Sequence, residues 1–359
     1  MTNTTRIAAL GYYGFQNLGD EAVLAGIRQG LGEKVRDSEL LVLSNNPEET
    51  VRLHPGVTTV NRWQWREVAD RLRRTDLFIF GGGSLLQDAT SVKSVVWYCL
   101  MALLARRKSR RVLWWAQGIG PLQSPVSRRM VRFVANQADA LTVRDRGSEQ
   151  LLREIGVRKT AEVVADPAFA LKPGTVKPNQ SDRACIFAPR HWKDDVLGTI
   201  IRGDREFWKK FEAKSQSPTL ILPMHLPGDR EYVRELGSSS VPEMIDWNVA
   251  GLSVVQTLER VARAEAMVAM RLHALIFAAR CGVPFVALSY DPKVDALIKA
   301  SGQEDVGVPV ESLTQETLLS AVERMRQTAP IRRAQLQEFA ATQAALALRP
   351  ADIAADLLY

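Results

Sequence analysis

Residues 266–290 read AMVAMRLHALIFAARCGVPFVALSY: an apolar run, a polar interruption at Arg271 and His273, a small-residue stretch of helical length, a Gly-Val-Pro break and a second apolar run. Two short β-rich runs, near 266–270 and 284–288, joined by a helix form a βαβ unit with parallel strands. The polar pair then falls where the first strand turns into the helix. A buried, unpaired cation there costs several kcal/mol, so Arg271 must meet an anion. No acidic residue stands between Glu265 and Asp291, which leaves a ligand or a carboxylate from elsewhere in the chain.

Outward from this unit the pattern repeats. Further strand-like runs fall near 184–188 and 219–223 in the second half, and near 5–12, 39–43, 57–60, 76–81, 111–117, 139–143 and 161–165 in the first, with helical stretches among them. Such alternation marks an α/β chain with parallel sheets. The 359 residues exceed the ~250–300 at which a single core stops growing, so two domains are expected. LKPGTVKPNQSD at 171–182 reads as a linker. The expected organisation is an N-terminal Rossmann-like domain over 1–172, a C-terminal one over 183–310 and a helical tail over 311–359 that packs back on the first. The fold class is α/β, two doubly wound domains facing a cleft, with ligands beyond the carboxyl ends of the strands.

Hydrophobic content of 46% and charged content of 24% suit a soluble globular protein, and a net charge of +7 suits an anionic partner. Cys99, Cys185 and Cys281 lack CxxC spacing and read as reduced core thiols. The chain opens without a signal-peptide pattern, and its longest charge-free apolar stretch, residues 94–105, falls short of the ~20 residues that cross a bilayer. The expectation is a cytoplasmic protein, at most peripheral to the inner face of a membrane. Neither a nucleic-acid module nor a metal-ligand cluster is apparent, and no cofactor is expected.

Four further stretches carry polar groups to strand ends. GYYGFQNLGDEAVLAGI, 11–27, offers Asp20 either as a ligand contact or as a helix cap. FIFGGGSLLQD, 78–88, reads as a strand, then Gly81, Gly82, Gly83 and Ser84, then a helix; the glycines form an anion nest or simply permit close packing. Gln117, in WWAQGIGP, is a ligand-facing amide or a turn residue. Arg144 ends a strand and either grips an anion or pairs with Asp145 or Glu149. Of the four histidines, His54 lies in a polar loop and reads as incidental, whereas His191, His225 and His273 each follow a strand of the second half; Arg190 precedes His191.

Taken in order, YYGFQNLGDEAVL, FGGGSLLQD, AQGIGP, VRDRGS, DPAF, MRLHALIFAA and SYDPK, spread over residues 12–293, resemble the polysaccharide pyruvyl transferase family, and most closely its CsaB-like bacterial members. The resemblance implies a glycosyltransferase-B-like arrangement and transfer of a pyruvate ketal group from phosphoenolpyruvate to a sugar, with release of phosphate. For CsaB-like members it implies N-acetylmannosamine in a lipid-linked precursor of the secondary cell-wall polymer that anchors S-layer proteins.

Carried over, the resemblance assigns phosphoenolpyruvate to Arg144, Arg271, Leu272, His273 and Lys293, with His273 as general acid and Arg271 as anion clamp. Gly82, Gly83, Ser84, Asp20, Arg190 and His225 become candidates for acceptor or phosphate contacts. A polyprenyl diphosphate-linked acceptor would bring the basic, aromatic stretches RWQWREVADRLRR and ARRKSRR near a membrane surface, though both also read as solvated helix faces. Two rival readings remain: a nucleotide-sugar glycosyltransferase of similar fold, and a non-catalytic anion- or glycan-binding protein.

Overall fold

The computed structural model describes residues 4–89, 91–174, 183–236 and 241–359. The chain divides into two compact units: unit 1 is Met1–Leu171 with Gln343–Tyr359, and unit 2 is Lys172–Thr342. Most of the segment read as a linker lies outside the described residues.

Unit 1 carries strands β1 (Thr5–Leu10), β2 (Ser38–Ser44), β3 (Thr58–Asn61), β4 (Leu77–Phe80), β5 (Gly83–Leu86), β6 (Arg111–Ile119), β7 (Ala140–Val143) and β8 (Ala161–Val163). They form one parallel sheet in the order β3-β2-β1-β4-β6-β7-β8, with β5 pairing to β6 off this path. Helices cover both faces, so the strands read as continuous apolar runs. Alternate residues feed opposite cores: Phe78, Phe80 and Trp114 pack on one face, and Ile79, Leu113 and Trp115 on the other. Ala351 and Ala354 of the terminal helix join the second core, and Lys34–Asp352 at 2.8 Å and Arg349–Glu162 at 2.9 Å tie that helix to the unit.

Unit 2 repeats the topology with β9 (Cys185–Ala188), β10 (Thr219–Ile221), β11 (Glu243–Met244), β12 (Ala266–Ala269), β13 (Phe285–Ser289) and β14 (Gly307–Pro309), ordered β11-β10-β9-β12-β13-β14 and parallel. Strand order reverses at β1/β4 in unit 1 and at β9/β12 in unit 2, the positions where open α/β sheets hold ligands. The opening stretch is β12, the helix Leu272–Arg280 and β13.

Local chemistry sets the helix starts. Asn17 caps Leu18–Lys34, Asp145 caps Arg146–Glu154, and Asp291 caps Pro292–Ala300 with proline in its first turn. Each such cap contributes about 1 kcal/mol. Asp20 is therefore inside its helix rather than its cap. Among the described residues, no helix is long and apolar enough to cross a membrane.

Candidate active site

In unit 2 the carboxyl edge of the sheet collects Arg190 after β9, His225 after β10, Arg271 and His273 after β12, and Lys293 after β13. Arg271 is the residue preceding the helix Leu272–Arg280, whose first backbone N–H groups open onto the same edge. Its anion is Asp229, which accepts from Nε at 3.1 Å and from Nη2. The sequence reading found no acid near Arg271; the structure supplies one from 42 positions upstream. Asp229 is 2% exposed and also accepts the backbone N–H groups of Met224 and His225 at 3.1 and 2.9 Å. One carboxylate thus fixes both the arginine and the loop that carries His225. Both side-chain bonds leave one edge of the guanidinium, and Nη1 takes no part in them.

Leu272 and His273 occupy the first turn of that helix and are half-buried. Lys293 is in the first turn of the next helix, its backbone N–H donating to Asp291 at 2.9 Å. Arg190 donates through Nη1 to the Tyr290 hydroxyl at 2.5 Å, and its guanidinium carbon lies 5.0 Å from the ring centroids of both Trp192 and Tyr290. That bond joins the β9 turn to the SYDPK turn. His191 is exposed and meets Tyr232 edge-on at 5.4 Å.

Unit 1 brings Asp20, Gly82, Gly83, Ser84 and Arg144 together. Arg144 is 5% exposed and donates to Asp166 at 2.8 Å through Nη1 and to Ser84 at 2.7 Å through Nη2, with Asp145 at 3.8 Å from Nε. Its main partner is Asp166, which belongs to the DPAF stretch and which the sequence reading did not connect with it. The triple glycine corrects an expectation: it does not open a helix. Gly83 begins β5, at φ +93, and the next helix starts only at Val92. A Cβ would collide with the Tyr13 hydroxyl from Gly81, and would meet Ala116, Pro167 and Val23 at 3.2 Å from Gly82 and Asp20 Oδ1 at 2.9 Å from Gly83. Close packing, not a helix-start nest, requires these glycines.

Gln117 is fully buried and donates to the carbonyls of Phe80, at 2.8 Å, and Gly81, so it fastens β6 to the glycine turn and does not face a ligand. The register of β6 against β7 shifts just before it, and Ala116 takes φ 48 there, a bulge that re-aims the chain. His54 is not incidental: 1% exposed, it meets Glu21 at 2.8 Å, and Glu21, 0% exposed, also accepts the Gly14 N–H at 2.9 Å. This pair holds the loop after β1 from below. Glu21, Asp166 and Asp229 escaped the sequence reading because each acts across a long sequence separation. Burial pushes the thiols of the core residues Cys99 and Cys185, and of the half-buried Cys281, up to about 12. No group of histidine, cysteine and acidic side chains able to hold a metal occurs among the described residues.

Solved structures share the fold across almost the whole chain. A UDP-N-acetylglucosamine 2-epimerase superposes with a TM-score of 0.62 at 14% identity, over 98% of this chain and 95% of that one. A UDP-GlcNAc 2-epimerase from Neisseria meningitidis, bound to UDP-GlcNAc, gives 0.60 at 12% identity, over 99% of each chain. An α-glucosyltransferase in complex with UDP and a 13-mer DNA gives 0.55 at 12% identity, over 95% and 96%. Identities this low speak to fold, here glycosyltransferase-B-like, and not to substrate. No curated protein matches the chain. The profile of the polysaccharide pyruvyl transferases matches residues 17–292, a span that runs from the cap of the first helix to the turn after β13. The chain belongs to the polysaccharide pyruvyl transferase family and is an enzyme of pyruvyl transfer.

Proposed function

We propose that the enzyme takes its pyruvyl group from phosphoenolpyruvate and closes it as a cyclic ketal on two hydroxyls of one sugar, releasing phosphate. The observation that carries this reading is the turn Arg271-Leu272-His273 at the switch point of unit 2. There an arginine oriented by a buried carboxylate stands two residues from an imidazole, inside the segment the family profile matches.

In this reading His273 gives a proton to C3 of the enol, so the methylene becomes a methyl group and C2 becomes oxocarbenium-like. An imidazole suits the step because the side chain is the usual proton donor near neutral pH. One sugar hydroxyl adds to C2 and loses its proton; a second displaces phosphate, which leaves with the electrons of its C–O bond and takes up that hydroxyl's proton, and the ring closes. Arg271 and Lys293 hold the carboxylate and phosphate and stabilise the charge that develops on the leaving group. Leu272 contributes its backbone N–H at the helix start. Arg144 is the third donor contact, and its bonds to Asp166 and Ser84 hold it in place for that role. Unit 2 is the donor side and unit 1 the acceptor side, where Asp20, Gly82, Gly83 and Ser84 line the acceptor's approach; Arg190 and His225 serve phosphate or acceptor oxygens. The acceptor is N-acetylmannosamine in a polyprenyl diphosphate-linked precursor of a cell-wall polymer that anchors S-layer proteins. The enzyme then works in the cytoplasm, peripheral to the inner face of the membrane.

The UDP ligands of the solved neighbours favour a second reading, transfer from a nucleotide sugar. Calorimetric titration separates the two. Phosphoenolpyruvate binding that Arg271→Ala weakens supports the pyruvyl donor. Binding of UDP-GlcNAc with none of phosphoenolpyruvate supports the nucleotide sugar.

A further inference from the structure

Beneath the carboxyl ends of β1–β3, unit 1 buries an arginine among aromatic rings. Arg62, 2% exposed, follows β3 and donates through Nη1 to the Gly11 carbonyl at 2.9 Å, at the end of β1. Its guanidinium carbon lies 4.0 Å from the ring centroid of Trp97, 5.1 Å from Tyr98, 5.3 Å from Phe15 and 5.4 Å from Trp63. Its Nε, and the Nε1 of Trp97, are buried donors with no acceptor among the described residues. Native proteins leave few such donors, and each costs about 1–3 kcal/mol while unmet.

Above this arginine the cluster opens to solvent. Trp63 is 51% and Trp65 39% exposed, and both rings pack on Trp97, at 5.1 and 6.1 Å. Trp63 is not loose: its Nε1 donates to Asn45 at 2.9 Å, and Asn45 in turn donates to the Gly14 carbonyl. The platform is thus anchored to the loop after β1, beside the switch point at β1/β4. Rigid indoles in the open match the apolar C–H face of a pyranose, and the buried Arg62 and Trp97 beneath hold their rings in place. An anionic lipid surface fits less well. On and just after the helix Trp65–Leu72 that borders the platform, Glu67 pairs with Arg71 and Asp70 with Arg73, which leaves Arg66 and Arg74 as its net charge, fewer than the roughly 4–8 basic residues that anionic lipid recognition uses.

We propose that Trp63, Trp65 and Trp97, held by Arg62, form a glycan platform that seats one pyranose ring of the acceptor. This rests on the pyruvyl-transfer reading for the word acceptor, but sugar binding itself does not. The test uses the Trp63→Ala/Trp65→Ala double variant, whose exposed positions leave the core intact. With methyl glycosides of N-acetylmannosamine, N-acetylglucosamine and galactose and no phosphoenolpyruvate, saturation-transfer NMR is expected to show ring C–H contacts in the wild type that the variant loses. In the transfer reaction the variant is expected to raise the acceptor KM by about tenfold while kcat and the phosphoenolpyruvate KM stay within about twofold, the signature of lost uniform binding. Loss of glycoside contacts in a protein that transfers no pyruvyl group upholds the platform and removes the reaction reading. Wild type without contact to any of the three glycosides, an unchanged acceptor KM, or a variant that loses only its binding to phosphatidylglycerol vesicles overturns the platform.

Discussion

Asp229 holds Arg271 through Nε and Nη2 and, with the same carboxylate, ties down the backbone of Met224 and His225. A single buried carboxylate in the first turn of the helix Gly228–Glu235 thus connects the turns that follow β10 and β12. Asp229→Ala leaves a largely buried guanidinium and two backbone N–H groups without an acceptor, and is expected to destabilise the protein by about 3 kcal/mol. Asp229→Asn keeps the shape and most hydrogen bonds. Its expected effect is a phosphoenolpyruvate KM raised by about tenfold with a smaller loss of stability. Urea unfolding and steady-state kinetics check the two effects separately, and a donor KM unchanged in the asparagine variant would remove Asp229 from the positioning of Arg271.

The Glu21–His54 pair predicts a stability effect at a place that looks like surface loop in the sequence. Glu21→Ala strands both the His54 ring and the Gly14 N–H in the core, where each unmet group costs about 1–3 kcal/mol. A loss of about 2–4 kcal/mol in urea unfolding is expected. A loss below about 0.5 kcal/mol, typical of a surface substitution, would contradict the pairing.

Gly81, Gly82 and Gly83 rank by the space around them. Alanine at Gly81 drives its Cβ into Tyr13, and at Gly83 it adds a positive φ to the contact with Asp20; at Gly82 the neighbours stand at 3.2 Å. Gly81→Ala and Gly83→Ala are expected to cost more than Gly82→Ala, each by about 1–3 kcal/mol. Thermal unfolding of the three variants checks the order. A helix-start nest would instead lower anion affinity and leave stability alone.

The thiols give a pH prediction. With folded pKa values raised to about 12, Cys99, Cys185 and Cys281 stay protonated at pH 8, where a free cysteine near 8.5 is substantially ionised. Raised folded values favour the protonated native state, so their contribution to stability is full below about 8.5 and is lost as pH rises towards about 12. Iodoacetamide at pH 8 is expected to leave the native protein unlabelled and to modify all three positions in urea. Rapid labelling of Cys99 or Cys185 in the native chain would contradict their burial.

Much of the fold was legible because parallel strands covered on both faces must be apolar throughout: DLFIFG, AMVAM and PFVAL announce β4, β12 and β13. Strands β5, β11 and β14 were not, since these two to four residues, GSLL, EM and GVP, are not apolar throughout as β4 and β12 are. GGGSLL reads as a helix opening until β6 is seen to pair with it. Cap chemistry misled at Asp20 because Asn17, three residues earlier, does the capping. The candidate residues at strand ends were visible as polar breaks in apolar runs, but their partners were not. Asp229 for Arg271, Asp166 for Arg144 and Glu21 for His54 are set by topology over separations of 42, 22 and 33 positions. The aromatic surroundings of Arg62 are likewise assembled from three separate stretches, so RWQW alone reads as a solvated helix face.

The central claim is the donor and the proton that activates it. Mass spectrometry of an N-acetylmannosamine-containing acceptor incubated with phosphoenolpyruvate, alongside phosphate release, tests it most directly for the wild type and His273→Ala. The account predicts one pyruvate ketal gained per phosphate released by the wild type, and a rate lowered by about 10²-fold or more in a variant that still binds phosphoenolpyruvate. An acceptor of unchanged mass with no phosphate released, or a His273→Ala enzyme of undiminished rate, would contradict it.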